Sequence, residues 1–345
     1  MARPLVTVFI PLYNAENYIK ETLASILNQT YQNLEILLVD DGSIDRSIQI
    51  VKSFDDERIR LIQNGENKGI PYTRNIGLAE AKGKYLAVMD SDDLAYLTRI
   101  EKQVEYMEQH PDIDVLGSFY ETFGGKVNRV IEEEFYFPEE IKIALLFFSP
   151  IANPSSIIRL ETVKQHHIRY NQRYFVSQDY DMWVQLSKVG KLYILPEILL
   201  KYRTGHLNIT KKSKTKKAEQ RRAIIHSIHE DVLTHYGFQL TPEELAAFNA
   251  FFTDNPVIVG WEVFEKIPDV LVKMVQQNRR KSMFTESLFE TMIQKIFFRY
   301  LCNQKLSLLD KIRLYHRVRL HKNRSSFGKD VSYIILKHTY QALQS

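Results

Sequence analysis

The chain of 345 residues exceeds one average domain, and its apolar fraction of 44% can fill a substantial core. A single cysteine, Cys302, excludes an internal disulfide framework and fits a reducing compartment. No stretch reaches the roughly 18 uncharged residues that a spanning helix needs, and Met1-Ala2-Arg3-Pro4 opens no apolar leader, so a soluble or peripheral cytoplasmic protein is expected. The net charge of +4 hides an asymmetry: residues 1–210 carry 23 Lys/Arg against 29 Asp/Glu, giving −6, and residues 211–345 carry 23 against 13, giving +10.

Thr7–Ile10 and Glu35–Val39 are runs of branched residues, and between them Ile19, Leu23, Ile26 and Leu27 recur at helical spacing, which predicts a β-α-β unit. Asp41-Gly42-Ser43 turns the chain, with Ser43 or Asp45 as N-cap of a helix through Ile48 and Val51, and Arg58–Ile62 reads as a third strand. A helix over 70–81 closes on Gly83 before the apolar run Tyr85–Met89. This alternation predicts an α/β fold with a mostly parallel sheet flanked by helices. Further on, a helix near 97–109, a strand near 113–118, a β segment over 126–137, a helix from Pro138 through Leu146 and another over 179–188 follow. The tract Lys211–Lys217 marks a linker, and nearly everything beyond it reads as helix. Two domains are expected, one over 1–210 with a division near residue 95 and a basic, mainly helical region over 211–345.

Asp90-Ser91-Asp92-Asp93 directly follows the apolar run, so a buried strand delivers three carboxylates to the carboxyl edge of the sheet, where open α/β folds bind ligands. Such like charges repel and are costly to bury unpaired. A divalent cation resolves the conflict: hard oxygen ligands suit Mg²⁺ or Mn²⁺, which complete their shell with water and nucleotide phosphates. Pro11-Leu12-Tyr13-Asn14 ends the first strand, Asp40-Asp41-Gly42-Ser43 the second, and Asn67-Lys68-Gly69 followed by Tyr72–Gly77 puts Arg74 on a helix beside the same crevice. No G-x-G-x-x-G follows the first strand and no P-loop occurs, which leaves dinucleotide oxidoreduction and P-loop phosphoryl transfer without support.

This ordered set resembles family 2 glycosyltransferases of the GT-A fold, closely over residues 5–93 and more loosely to about 210. The resemblance implies an inverting transfer from a nucleotide diphosphate sugar, UDP-linked by preference, to a glycan or lipid-linked acceptor in surface polysaccharide synthesis. It implies that Pro11, Leu12 and Tyr13 edge the nucleoside, that Asp40 accepts the imide N–H of uracil, and that Arg74 reaches the nucleotide or its phosphates. Asp90 and Asp92 form the family's D-x-D, with Asp92 on the metal and Asp90 on the ribose or a metal-bound water; Asp93 supports them or caps the following helix. In Ser177-Gln178-Asp179-Tyr180-Asp181, Asp179 matches the family's catalytic base, with Asp181 as the fallback, while Gln178 stands where a Glu is usual. Lys201–Thr210 resembles a further family segment with one extra residue before His206, which implies Arg203 on the departing phosphates and His206 as a metal ligand or a contact to the diphosphate.

Two other functions use similar parts. A nucleotidyltransferase also pairs such a sheet with metal-binding carboxylates, although it has no use for Asp179; a non-catalytic sugar-nucleotide or polymer-binding protein would tolerate Gln178. Residues 296–324 mix Phe297, Phe298, Leu301, Leu309, Leu314 and Tyr315 with basic side chains, which suits a helix on an anionic membrane at the inner face of the plasma membrane, or a packed helix with a solvated basic face. Such helices also offer an oligomer interface. Nucleic acid is not expected as a partner, because no binding motif accompanies the charge.

Overall fold

A computed structural model of the protein describes residues 3–205, 217–253, 261–304, 306–318 and 332–337. The chain divides into two compact units, one of residues 1–145 with 149–217 and one of residues 146–148 with 218–345.

The first unit opens with β1 (Val6–Leu12), α1 (Ile19–Leu27), β2 (Leu34–Asp40), α2 (Ser47–Lys52), β3 (Ile59–Gln63), α3 (Ile70–Glu80) and β4 (Tyr85–Val88). β5 (Leu94–Ala95), α4 (Arg99–Gln109), β6 (Val115–Phe123), β7 (Val130–Ile131) and α5 (Pro138–Ala144) follow, then a 3-10 turn (Asn153–Ser155), β8 (Ile157–Arg159), α6 (Leu160–Gln165), α7 (Gln178–Val189) and β9 (Leu192–Arg203). They form one nine-stranded sheet in the order β3-β2-β1-β4-β8-β6-β9-β5, with β7 on β6. β1, β2, β3 and β4 are mutually parallel, as their alternation with helices requires. Beyond β4 the sheet becomes mixed, because β8 runs antiparallel to β4 and β6 while β9 returns parallel to β6.

Every residue of β1, β2 and β4 is buried, the expected condition of central strands covered on both faces. Ile19, Leu23 and Ile26 put one face of α1 wholly inside. The segment 126–137, expected as β, pairs only over Val130–Ile131, whereas the twelve residues of β9 form a strand that periodicity did not single out. The start of α2 follows the capping expectation in part: Asp45 Oδ1 accepts the Ser47 N–H at 3.0 Å, while Ser43 Oγ accepts from Asn14.

Glu35 is a charge in the middle of a buried strand and is therefore fully engaged. Its carboxylate accepts the Thr7 hydroxyl at 2.6 Å, the Lys82 N–H at 3.0 Å and the Arg60 Nε at 3.0 Å. Burial pushes its pKa up, but these donors outweigh burial and hold it below the usual 4.5.

The second unit is helical in its described residues: α8 (Ala218–His235), α9 (Pro242–Phe251), α10 (Trp261–Lys281), α11 (Glu286–Asn303) and α12 (Leu308–Arg317). Thr241 and Glu244 close a reciprocal capping box at the start of α9. Aromatic rings fill the interior, with Phe238, Phe284 and Phe289 stacked and Phe251 against Phe297 at 5.4 Å. Phe297, Leu301, Leu314, Tyr315 and Val318 are buried in this interior and only Leu309 of the apolar set is strongly exposed, so the stretch 296–318 is a packed pair of helices rather than an apolar membrane face. Among the described residues no helix is long and apolar enough to cross a membrane.

Glu35→Gln should destabilise the protein by about 1–3 kcal/mol at neutral pH, because it leaves one buried and two partly buried hydrogen bonds with a weaker acceptor. Since the folded pKa is depressed, Glu35 contributes above its unfolded value near 4.5 and loses that contribution as pH falls through the lower folded value. Urea midpoints of wild type and variant, compared at pH 7 and at progressively lower pH, should therefore converge in acid; a gap that persists there contradicts the assignment.

Candidate active site

The strand order reverses between β1 and β4, with β2 and β3 to one side, and the carboxyl ends of these strands supply the candidate residues at that switch point. Two loops are stapled together there. Asn14, held at a left-handed φ of 47°, accepts the Ile44 N–H at 2.9 Å through its side chain and donates its own N–H to Ser43 Oγ at 2.9 Å. The Ala15 and Glu16 N–H groups donate to Ser47 Oγ and Asp45 Oδ2. Tyr13 stands half-exposed beside this staple, while Pro11 and Leu12 are buried.

Asp40 is buried and accepts the Gly42 N–H at 3.1 Å and the Ser43 N–H at 3.2 Å, an Asx-type turn. Its neighbour Asp41 was not singled out from sequence, yet it fixes the next loop: it accepts from Asn64 Nδ2 at 3.0 Å, Lys68 N at 3.0 Å and Gly69 N at 2.8 Å. Gly42 has φ 79°, and a Cβ there would lie 2.7 Å from the Glu66 backbone, so no larger residue fits between the loops.

α3 then carries Arg74 inward. Its side chain is 7% exposed, with Nη2 3.5 Å from Asp90 Oδ1 and the guanidinium 5.5 Å from the centre of the Tyr170 ring. Asn75 secures that neighbour by bonding both the carbonyl and the N–H of Tyr170. Arg74 Nε, the Tyr170 hydroxyl and Gln178 Oε1 are all buried with no hydrogen-bond partner among the described residues.

Asp90 and Asp92 are half-buried and Asp93 is fully buried. Burial pushes the Asp90 carboxyl up to about 6; Arg74 opposes the shift, and the charges of Asp92 and Asp179 add to it. Asp93 is also pushed well above the ordinary range, by burial and then by Asp90 and Asp92, while the Arg203 N–H and Arg99 oppose it. Tyr202 is raised by burial and then by the same three carboxylates. Asp93 caps no helix, since α4 begins after Thr98; its Oδ1 accepts the Arg203 N–H at 2.7 Å.

The expectation that only a metal can balance this cluster needs correction, because guanidinium groups supply part of the charge. Arg99 is wholly buried beneath it, donating to the Val88 carbonyl at 2.8 Å and to Gln103, and its pKa is lowered to about 10 by burial against the pull of Asp93 and Asp90. Nothing in its sequence context signalled that role. Arg203 lies between the rings of Tyr18 and Phe123 and donates to the Asp92 carbonyl and to Glu21, each at 2.7 Å. Among the described residues no three His, Cys, Asp or Glu side chains are gathered closely enough to hold a metal alone. Asp90 and Asp92 nevertheless fit Mg²⁺ or Mn²⁺ in donor type, as hard carboxylate oxygens at a strand end. His206 lies outside the described residues.

Asp179 sits in the first turn of α7, after Ser177 at a left-handed φ of 53°, where the helix dipole favours a carboxylate. Its Oδ1 accepts the adjacent Tyr180 N–H at 3.0 Å, and its charge acts on both Asp90 and Tyr170. Asp181 instead turns along the helix to accept Gln185 Nε2 at 2.7 Å. The structure thus brings Arg74, Asp90, Asp92 and Asp179 together, with Tyr170 beside them.

Comparison with known proteins places this arrangement. The family model described as glycosyl transferase family 2 matches residues 7–177. An uncharacterized glycosyltransferase of Haemophilus influenzae is 38% identical over 211 residues, 58% of this chain and 65% of that protein, so the chain spans less than two thirds of that relative's length. A UDP-Glc:alpha-D-GlcNAc-diphosphoundecaprenol beta-1,3-glucosyltransferase of Escherichia coli is 34% identical over 187 residues, covering 54% of this chain and 71% of that one. Among solved structures, residues 1–349 of S. aureus TarS in complex with UDP-GlcNAc match with a TM-score of 0.59 at 16% identity, over 98% of this chain and 91% of that one. A mannosyltransferase of Pyrobaculum calidifontis in complex with GDP-Man and Mn²⁺ matches with a TM-score of 0.53 at 15% identity, over 98% and 87%. Those two likenesses concern the fold, a GT-A-like mixed sheet flanked by helices with a mainly helical C-terminal region. With the sequence relatives beside them, the chain belongs to glycosyltransferase family 2.

Proposed function

We propose that the protein is an inverting, divalent-metal-dependent glycosyltransferase that moves a sugar from a UDP-sugar to a glycan or lipid-linked acceptor in surface polysaccharide synthesis. The observation that carries this reading is the placement of Asp179, which lies within electrostatic reach of Asp90 although 88 residues separate them in sequence. A UDP donor is favoured by the UDP-sugar named for the E. coli relative and for TarS.

The uracil would stack on Tyr13 along the edge formed by Pro11 and Leu12. Asp40 keeps lone-pair capacity for the imide N–H, because an ionised carboxylate offers about four acceptor sites. Asp90 would hold the ribose or, with Asp92, a divalent cation that supplies charge neutralisation for the diphosphate. Arg74, with its unpartnered Nε, and Arg203 at the end of β9 would add positive charge on the leaving side. Asp179 takes the proton of the acceptor hydroxyl as that oxygen attacks the anomeric carbon; the bond to the diphosphate breaks and its electron pair leaves with the diphosphate. Asp179 is the one base candidate among the described residues, and no other described carboxylate is well supported as a nucleophile, which favours inversion.

A lipid-linked acceptor would bring the protein to a membrane surface through charge rather than through an apolar helix, given the +10 balance of residues 211–345 and the inward packing of α11 and α12. The same helices remain the candidate surface for self-association.

A panel of UDP-glucose, UDP-GlcNAc and GDP-mannose, assayed for metal-dependent release of nucleoside diphosphate, tests the reading at its base. Asp179→Asn should preserve UDP binding and lower transfer by at least about 100-fold, since the isosteric amide keeps shape and loses basicity. Turnover near that of wild type would remove Asp179 from the mechanism, and a product that keeps the donor's anomeric configuration would remove inversion.

Calorimetry with UDP should show tighter binding with Mn²⁺ than with a chelator in wild type, and Asp92→Ala should abolish that difference. Equal affinities under all four conditions would contradict the metal assignment. Vesicles rich in anionic lipid should sediment the full chain at low salt and release it near 0.5 M salt, where the Debye length falls to roughly a few ångströms. Sedimentation indifferent to salt, or absent throughout, speaks against electrostatic docking.

A further inference from the structure

Asn153 stands out among the buried polar side chains because both its carboxamide oxygen and its nitrogen lack a hydrogen-bond partner among the described residues, although the residue is only 4% exposed. A buried amide that makes neither bond is costly, and native structures seldom retain one without a use for it. The surrounding turn is held firmly. Ser155 Oγ donates to the Ala152 carbonyl at 2.8 Å, Ser156 Oγ donates to the Asn153 carbonyl at 2.7 Å, and Gln103 Nε2 donates to the Ser155 carbonyl at 2.8 Å. Arg99 spans the Val88 and Ser156 carbonyls. The amide is thus fixed from outside, and loop mobility gives its unmade bonds no outlet.

Its place in the sheet sets it among the strand ends of the candidate site. β8 is antiparallel to β4, so the start of β8 lies at the carboxyl end of β4, and the Val88 N–H donates to the Ser156 carbonyl at 2.9 Å. Asp90 comes two residues after Val88 and Asn153 three residues before Ser156, which puts both just beyond the same rung on neighbouring strands. Across these strand ends the order is β2 with Asp40, β1 with Tyr13, β4 with Asp90 and Asp92, then β8 with Asn153. A nucleotide sugar laid along that order, nucleoside over β2 and β1 and diphosphate over β4, carries its sugar to the β8 side.

We propose that Asn153 recognises the transferred sugar, its carbonyl accepting one hydroxyl and its NH₂ donating to a hydroxyl oxygen, so that it contributes to the choice of donor hexose. This rests on the nucleotide-sugar reading given above. A site built to bond a hydroxyl discriminates strongly, since a donor lacking it leaves the amide unpaired.

The test uses the full chain with UDP, UDP-glucose, UDP-GlcNAc and GDP-mannose as probes. Asn153→Ala and Asn153→Leu should leave the affinity for UDP within about 2-fold of wild type, while affinity for the preferred nucleotide sugar falls by about 10-fold or more and its KM rises. Because each substitution removes a buried amide without a protein partner, the thermal midpoint of at least one variant should match or exceed that of wild type. Equal losses for UDP and nucleotide sugar, or no loss for any sugar in a folded variant, overturns the assignment. A wild type that binds UDP but gains nothing from any attached sugar overturns it too and leaves the UDP site standing. Failure to bind any probe removes the nucleotide-sugar reading itself.

Discussion

The site depends on the electrostatic cost of ending a buried strand in three carboxylates. Left alone, Asp90, Asp92 and Asp93 would repel one another in a poorly solvated corner, and the raised pKa values of Asp90 and Asp93 record burial first and that repulsion second. The protein opposes it from three sides: Arg74 from α3, Arg99 from beneath, and the backbone N–H of Arg203 from β9. Arg99 matters structurally as well. By bonding the Val88 and Ser156 carbonyls it ties the strand that presents the carboxylates to the turn that precedes β8. The charge that makes the cluster tolerable thus also sets the spacing between two strand ends.

A second constraint operates around the ends of β1 and β2. Asn14 and Ser43 belong to different motifs, but they bond each other's loops, and Asp41 does the same for the loop that carries Asn67-Lys68-Gly69. These polar residues position backbone rather than reach outward. They leave the exposed ring of Tyr13 and the buried carboxylate of Asp40 at defined places on rigid strand ends, as a preorganised site requires.

Much of this was legible in the sequence. The parallel strands are continuous apolar runs, and the helices between them show clear spacing, so β1 to β4 and α1 to α4 fall close to where periodicity put them. What escaped was carried by long-range pairing. β8 is three residues long and exists because β4 and β6 flank it; no local pattern in Ile157–Arg159 marks it. The partners of Glu35 lie at Thr7, Arg60 and Lys82, and Arg99 reads in sequence as an ordinary first-turn residue of an amphipathic helix. Tyr170 becomes relevant only because Asn75, 95 residues earlier, clamps its backbone beside Arg74. Residues whose role arises from a neighbour distant in sequence cannot be recovered from periodicity.

The amide at Gln178 follows from the same electrostatics. Its side chain is buried next in sequence to Asp179, whose charge acts on Asp90, a carboxyl already raised chiefly by burial. A glutamate at this position would add a buried negative charge, which is costly unless it is paired. Glutamine keeps the length and the accepting carbonyl without that charge, and its Oε1 has no partner among the described residues. The amide therefore avoids a buried charge and leaves one hydrogen bond unmade among the described residues. In a protein that already balances its carboxylates with Arg74, Arg99 and Arg203, the neutral side chain leaves Asp179 as the sole carboxylate of the Gln178-Asp179 pair.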